Sequence, residues 1–193
     1  MISMKTLIIN GSPKRNGDTV ALLNEFAEYL HGESMTLSID SHIAPCSDCR
    51  HCWENPGCCI MDDMQDAYEY LRDCDNVVLA SPVWFSSLSG VALNISSRLQ
   101  MVYASRAFRK APFPRKPKQG VLIIVGAQPG TELGPAQVAR TILKLAGAER
   151  PLAVEVYAMH TDALPAVGDE VALDHVRAAA QRLNELHCQT HHY

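Results

Sequence analysis

Short apolar runs alternate with amphipathic segments along this chain of 193 residues. The first run, KTLIIN, ends in a Gly-Ser-Pro turn, which is typical of a strand buried in a parallel sheet. Five such runs predict strands at residues 5–10, 35–39, 76–82, 120–126 and 152–157. Strands that alternate with helices form a parallel α/β sheet. The pattern therefore predicts one α/β domain over residues 1–193 with a five-stranded sheet.

Between the strands, apolar residues recur at intervals of three and four, which places them on one face of a helix. Five such stripes predict helices: Val20, Leu23, Ala27 and Leu30; Met64, Ala67, Tyr68 and Leu71; Leu88, Val91, Ala92, Ile95 and Leu99; Val138, Ile142 and Leu145; and Leu173, Val176, Ala180 and Leu183. Gly147 is expected to end the fourth of them. The cysteine-rich residues 46–59 lie between the predicted elements, and we expect a loop there.

The composition is ordinary for a folded protein, with 47% hydrophobic and 20% charged residues. A net charge of −4 argues against a nucleic-acid partner. The N-terminal apolar run is too short for a signal peptide, and no run approaches the length of about 18 residues that a membrane helix requires. We therefore expect a cytoplasmic protein without membrane attachment, in which thiols stay reduced.

The turn after the first strand, NGSPKRNGDT (10–19), offers groups that bind phosphate. It lacks P-loop spacing, because five residues separate Gly11 from Gly17 and because Asp18-Thr19 replaces Lys-Ser/Thr. Its hydroxyl, amide and cationic side chains nevertheless precede a helix, where free N–H groups favour anions. We expect a phosphate here, and the alternative is a polar turn that only caps the helix. The candidate side chains are Ser12, Lys14, Arg15, Asn16 and Thr19.

Two further turns follow predicted strands, namely SPVWFSSLSG (81–90) and GAQPGTELG (126–134). Ligands of open α/β sheets bind beyond the carboxyl ends of the strands. Trp84 and Phe85 stand at such an end, where they either cover a flat ligand or pack under the next helix. Together the three turns predict a phosphate cradle, an aromatic wall and backbone contacts to a ring.

Five of the seven cysteines fall in CSDCRHCWENPGCC (46–59), and four of them form a C-x2-C-x2-C-x5-C series. A thiolate at every third residue can wrap a compact iron–sulfur cluster. Structural zinc more often uses two separate C-x2-C pairs. Three interpretations stay open, namely a metal cluster, free thiols or a redox disulfide, and zinc. Cys59 directly follows Cys58, and we expect it to point away from the other four.

GSPKRNGDT and SPVWFSSLSGVALNISSR resemble the two flavin loops of the NADPH-dependent FMN reductase-like proteins of flavodoxin fold. Residues 43–64, IAPCSDCRHCWENPGCCIMDDM, resemble the compact cysteine motif of the iron–sulfur flavoproteins, a branch of that family. The resemblance covers nearly the whole chain and implies a flavodoxin-like three-layer sandwich with strand order 2-1-3-4-5. Family members usually carry Lys and Asp in the helix after the second flavin loop, where this chain has Asn94 and Ser97 and keeps Arg98.

The resemblance implies an oxidoreductase with non-covalent FMN that uses NAD(P)H or a reduced protein as electron donor and passes electrons to a small-molecule or protein acceptor. The alternative is a non-enzymatic carrier of single electrons between proteins. A homodimer or homotetramer is also implied. No catalytic acid or base is assigned, because the cofactor supplies the chemistry. The implied flavin contacts are Ser12, Lys14, Arg15, Asn16, Gly17, Asp18, Thr19, Pro82, Val83, Trp84, Phe85, Ala127, Gln128 and Gly130, and the implied ligands of a 4Fe-4S cluster are Cys46, Cys49, Cys52 and Cys58.

Overall fold

Parallel strands form the centre of the fold. The computed structural model describes residues 3–113, 116–148 and 151–191. The strands are β1 (Lys5–Asn10), β2 (Glu33–Leu37), β3 (Asn76–Trp84), β4 (Ser87–Leu88), β5 (Gln119–Gly126) and β6 (Val154–Met159). The order is β2-β1-β3-β5-β6, all parallel, and β4 pairs antiparallel with the end of β3. The predicted order 2-1-3-4-5 is therefore confirmed for the five parallel strands, with β4 as an addition.

Helices cover both faces of this sheet. They are α1 (Asp18–Tyr29), α2 (His51–Glu54), α3 (Met64–Asp73), α4 (Gly90–Ser97), α5 (Gln100–Ala107), α6 (Leu133–Ala146) and α7 (Glu170–His191), with one 3-10 turn at Ala166–Gly168. Leu7 and Ile9 pack in a core shared with α3 to α6, whereas Ile8 packs in a second core shared with α1 and α7. Strand side chains alternate between faces. The result is the three-layer sandwich that the resemblance implied.

Some strand boundaries differ from the prediction. β2 occupies residues 33–37 rather than 35–39, because the N–H of Ser38 donates to Oγ of Ser41 and the chain turns there. β3 does not end at Pro82 but continues to Trp84, since Val83 and Trp84 pair with β4. β6 is found at residues 154–159 rather than 152–157.

Three predicted helical stripes were also partly wrong. α1 buries Leu23 as predicted, but its other buried residues are Thr19, Leu22 and Phe26. Of the remaining predicted residues, Val20 and Leu30 are partly buried and Ala27 is exposed. One residue corresponds to about 100° around a helix, and packing against the neighbouring α7 selects the face. The predicted fourth stripe is similarly displaced, because α6 buries Pro135, Ala136, Ala139, Leu143 and Ala146. The stripe over residues 88–99 is divided among β4, α4 and the start of α5.

The other helix predictions are confirmed. The stripes of α3 and α7 are buried as expected. Gly147 caps α6 with a left-handed φ of 110°, a conformation that glycine adopts without strain. The expected cysteine loop contains the single-turn helix α2. Within the described ranges, none of the helices combines the length and apolarity that a membrane span needs.

Candidate functional site

A cavity of about 480 Å³ lies beyond the carboxyl ends of β1, β3 and β5. The turn after β1, the end of β3 and the end of β5 all contribute to its lining. Nine of the predicted flavin contacts line it: Ser12, Lys14, Gly17, Asp18, Thr19, Pro82, Val83, Trp84 and Ala127. The three turns that the sequence singled out therefore meet at one place.

The turn after β1 is fixed by its own polar groups. Oγ of Ser12 donates to the carbonyl of Lys14 and accepts from the N–H of Lys14, at 2.8 and 3.2 Å. Ser12 and Thr19 are 4% and 2% exposed, so both hydroxyls are held at the cavity wall. Gly17 precedes α1, and no side chain caps that helix. A helix N-terminus without a side-chain cap favours an anionic ligand.

The turn between β3 and β4 is strained. Phe85 and Ser86 have φ values of 50° and 55°, in the left-handed region that non-glycine residues rarely adopt. Such residues each cost about 1–3 kcal/mol and cluster at ligand sites. The turn leaves Trp84 half-exposed against the cavity.

Five of the predicted flavin contacts do not line the cavity. Arg15 forms an ion pair with Asp40, with 2.6 Å between Nη2 and Oδ1, on the surface beside Asn16. Phe85 is fully exposed. Gln128 and Gly130 lie on the turn after β5, where the carbonyl of Gln128 accepts from Oγ1 of Thr131. These five residues belong to the same turns as the lining residues but do not line the cavity.

Five lining residues were absent from the predicted contacts. Pro13, Val125 and Gly126 lie in or beside the predicted turns, whereas Thr161 and Asp162 lie on the loop after β6. The N–H groups of His160 and Thr161 both donate to the carbonyl of Gly126, at 2.9 and 3.2 Å, and hold this loop against β5. The sequence could have indicated this loop as part of the site, because it also follows the carboxyl end of a predicted parallel strand.

The cysteine loop surrounds a second cavity, which Cys46, Cys49, Cys52, Cys58 and Cys59 line together with Arg98. Three neighbouring polar side chains hold the backbone at the first cysteine and just before it. The N–H of Cys46 donates to Oγ of Ser97 at 3.0 Å, and Nδ2 of Asn94 donates to the carbonyl of Ile43 at 3.0 Å. Oδ2 of Asp62 accepts from the N–H of Ala44 at 3.0 Å. Asn94 and Ser97, the two positions at which the chain departs from the pattern that it otherwise resembles, thus support the loop directly.

Arg98 connects this loop to the core. Its side chain is fully buried, and Nη1 donates to Oδ2 of Asp62 at 2.5 Å. Nη2 donates to the carbonyl of Ile60 at 3.2 Å and to Sγ of Cys58 at 3.4 Å. Burial disfavours the charged form of both side chains, but their mutual attraction and hydrogen bonds outweigh the effect of burial. The pKa of Arg98 is therefore raised and the pKa of Asp62 is lowered. A fixed positive charge therefore adjoins the thiols.

The five thiols differ in their surroundings. Burial raises the pKa of Cys52, whereas a hydrogen bond from the backbone of His51 lowers the pKa of Cys49. Sγ of Cys49 and Sγ of Cys59 are 3.5 Å apart. The expectation that Cys59 points away was wrong, because a bend at Asp48 and Arg50, with φ values of 50° and 61°, carries Cys49 toward it.

Among the described residues, no three His, Cys, Asp or Glu side chains converge as ligands of a single metal ion. The cysteines instead surround a cavity. On one side of the loop, Trp53 of α2 stacks on Phe108 with ring centroids 3.9 Å apart. Nη1 of Arg109 donates to the carbonyl of Cys52 at 2.5 Å. These contacts tie α2 to the end of α5 and fix that wall of the cavity.

Comparison with known proteins decides the family. The model of the NADPH-dependent FMN reductase family matches residues 4–161. The chain belongs to this family. Similar members are iron–sulfur flavoproteins, one from Methanocaldococcus jannaschii with 28% identity and one from Methanosarcina thermophila with 30% identity, each over 128 residues. The recognition of family and branch from the flavin loops and the cysteine motif is confirmed.

Each of these two matches covers 64% of this chain and 63% of the relative's length, so the chain spans less than two thirds of the relatives that it matches. Among solved structures, the NAD(P)H:quinone oxidoreductase from Methanothermobacter marburgensis has a TM-score of 0.67 at 16% identity, covering 94% of this chain and 96% of that one. Likeness at this identity shows the flavodoxin-like fold, and the family membership rests on the sequence match.

Proposed function

We propose that this protein is an FMN-dependent oxidoreductase that carries a 4Fe-4S cluster on its cysteine loop. Electrons enter from NAD(P)H or a reduced protein and leave to a small-molecule or protein acceptor. The observation that carries the proposal is the single cavity in which the turn after β1 meets Trp84 and the end of β5. Family membership supports the choice of FMN.

The phosphate end of the cofactor fits the turn after β1. The hydroxyl of Thr19 and the N–H groups at the start of α1 would donate hydrogen bonds to the phosphate, and Lys14 would add positive charge. The hydroxyl of Ser12 would join them by turning its proton from the carbonyl of Lys14 to the phosphate. Hydrogen bonds to a charged group are worth about 1.5–3 kcal/mol each, more than those between neutral groups. This one cradle suits FMN, which has a single phosphate.

The ring end of the cofactor fits the other two turns. Trp84 would shield one face of the ring from water, and the backbone of Val83 and Ala127 would contact its edge. When bound, FMN accepts a hydride or single electrons. The protein's residues orient the ring and exclude water, and none is assigned as an acid or base.

The cysteine loop fits an iron–sulfur cluster by its donors and its charge. Each iron of such a cluster takes one Cys thiolate, and hydrogen bonds to the sulfurs adjust its potential. Arg98 already donates one N–H to Sγ of Cys58, and its buried Nε has no hydrogen-bond partner among the described residues. A buried guanidinium offsets the negative charge that four thiolates bring.

The proposed ligands are Cys46, Cys49, Cys52 and Cys58. Cys59 is left out because its sulfur is 3.5 Å from that of Cys49. Two sulfurs in such contact cannot each approach a different corner of one cluster, so the pair supplies one ligand. Cys49 is chosen because it belongs to the regular series with Cys46 and Cys52.

An anaerobic reaction with NADPH tests the enzymatic proposal. Stopped-flow mixing should bleach the flavin absorbance in a rapid, saturable phase. No bleaching by NADPH or NADH, together with rapid bleaching by a reduced ferredoxin-type protein, would favour the electron carrier instead. The exposure of Cys49 and Cys59 at the protein surface is the observation that keeps the carrier as a second candidate. Light scattering tests the proposed homodimer or homotetramer.

A further inference from the structure

Two cysteines of the loop lie close enough to react with each other. Sγ of Cys49 and Sγ of Cys59 are 3.5 Å apart, and both side chains are exposed. A disulfide has an S–S length of about 2.05 Å, so the sulfurs need to approach by about 1.5 Å. The intervening segment contains only the single-turn helix α2 as regular structure. A small movement of an exposed loop is therefore sufficient.

The other three thiols of the loop are placed differently. Sγ of Cys58 accepts a hydrogen bond from Arg98, and the backbones of Cys46 and Cys52 are held by Ser97 and Arg109. Among the described residues, no other pair of cysteines has a sulfur–sulfur contact of the kind that Cys49 makes with Cys59. Geometry thus selects one pair out of five thiols.

We propose that Cys49 and Cys59 form an oxidation site, at which a peroxide converts the two thiols into an intramolecular disulfide. One sulfur attacks the peroxide, its S–O bond forms as the O–O bond breaks, and the first water leaves. The second sulfur then attacks the first, the S–S bond forms as the S–O bond breaks, and the second water leaves. The two sulfurs together lose two electrons, hydrogen peroxide gains them, and the two thiol protons end in the water molecules.

The disulfide would compete with the cluster. Cys49 is a proposed iron ligand, and the sulfur of a disulfide is no longer a thiolate. Oxidation would therefore block cluster assembly until a reductant restores both thiols. The oxidation site itself goes beyond the proposed function and requires neither flavin nor iron, whereas this consequence rests on the proposed function.

The test uses metal-free full-length protein, reduced and then treated with a small excess of hydrogen peroxide. Trypsin cleaves after Arg50, which separates Cys49 from Cys59, so the disulfide joins two peptides that mass spectrometry can identify and fragmentation can localise. Cys188→Ser is the matched control, because it removes an exposed cysteine on α7 outside the loop. Wild type and this control should both yield the Cys49–Cys59 bond. Cys59→Ser should not, and dithiothreitol should reverse the bond.

Absence of this bond in wild type, or pairing of Cys49 mainly with Cys46 or Cys52, would overturn the proposal. A second arm measures iron uptake on anaerobic reconstitution. Peroxide should reduce uptake at least tenfold in wild type and leave Cys59→Ser nearly unaffected. Failure of reduced wild type to take up iron contradicts the proposed cluster, while the peptide map still decides the disulfide.

Discussion

Nη2 of Arg98 lies 3.4 Å from Sγ of Cys58, and the same buried guanidinium binds Asp62 and the two carbonyls of Ala44 and Ile60, which flank the cysteine loop. Arg98 caps the C-terminal end of α4, and α4 directly follows the β3–β4 hairpin, whose Trp84 lines the candidate flavin cavity. The two candidate sites are thus joined by one short helix. Four donated hydrogen bonds from one side chain fix the loop's position relative to the sheet.

Replacement of Arg98 by Met should destabilise the fold strongly. The side chain is fully buried, and its loss leaves the nearly buried carboxylate of Asp62 without its partner. Breaking a buried pair in this way costs about 3–5 kcal/mol. Urea unfolding measures the loss. Arg182→Met is the matched control, because Arg182 forms an exposed pair with Glu185 that is worth about 0–1 kcal/mol. Equal losses in the two variants would contradict the role assigned to Arg98.

Asp62 should make stability dependent on acid pH. Its folded pKa is lowered from 3.8, with burial opposing and Arg98 and the N–H groups of Ala44 and Met64 favouring the charged form. A carboxyl group with a lowered folded pKa contributes stability above its unfolded pKa of about 3.9 and loses that contribution as the pH falls through the folded value. The free energy of unfolding of wild type should therefore exceed that of Asp62→Asn at pH 7, and the gap should narrow below about pH 4. A gap that stays constant to pH 2 would show that ionisation of Asp62 is not its source.

Ser12 and Thr19 should dominate phosphate binding, whereas Arg15 should not contribute. The double variant Ser12→Ala/Thr19→Ala removes two buried hydroxyls, and its FMN affinity should fall on the order of a hundredfold or more. Arg15→Ala removes a cation that the structure pairs with Asp40, and affinity should change by no more than a few-fold. Fluorescence titration of flavin-free protein measures both. Unchanged affinity in the double variant, or a large loss in Arg15→Ala, would contradict the assignment of the cradle.

Cys58 and Cys59 should differ despite being adjacent. Cys58→Ser removes a proposed ligand whose sulfur contacts Arg98, so the reconstituted protein should lose most of its iron and sulfide. Cys59→Ser should retain both, because Cys49 supplies the ligand of that close pair. FMN binding should persist in both variants, since neither cysteine lines the flavin cavity. If Cys59→Ser loses the cluster and Cys58→Ser keeps it, the metal site stands, but the fourth ligand is Cys59 rather than Cys58.

Much of the fold was predictable because its rules are local. Runs such as KTLIIN are apolar on both faces, as strands are when helices cover the sheet on both sides. In α3, the spacing of the apolar residues alone indicates which face of the helix is buried. The stripe of α1 was misplaced because Phe26 packs toward α7, a partner that is distant in sequence. Local spacing indicates that a helix exists more reliably than it indicates which face is buried.

The candidate flavin cavity was partly predictable for the same reason. Parallel strands bring their carboxyl ends to one edge, so the turns that follow them meet without further information. Which side chains of a turn enter the cavity depends on remote partners, as Arg15 shows with Asp40, 25 residues away. The contact of Arg98 with Cys58 spans 40 residues, and no spacing rule predicts it.

One FMN and one 4Fe-4S cluster should be bound to the same chain, and anaerobic purification followed by cofactor analysis measures both. Flavin is extracted and identified by chromatography, and iron and acid-labile sulfide are counted per chain. We expect about one FMN per chain, with about four irons and about four sulfides after reconstitution. FAD in place of FMN, or no flavin at all, would contradict the flavin assignment. FMN with no iron in reconstituted wild type would contradict the cluster and leave a flavin reductase with free thiols.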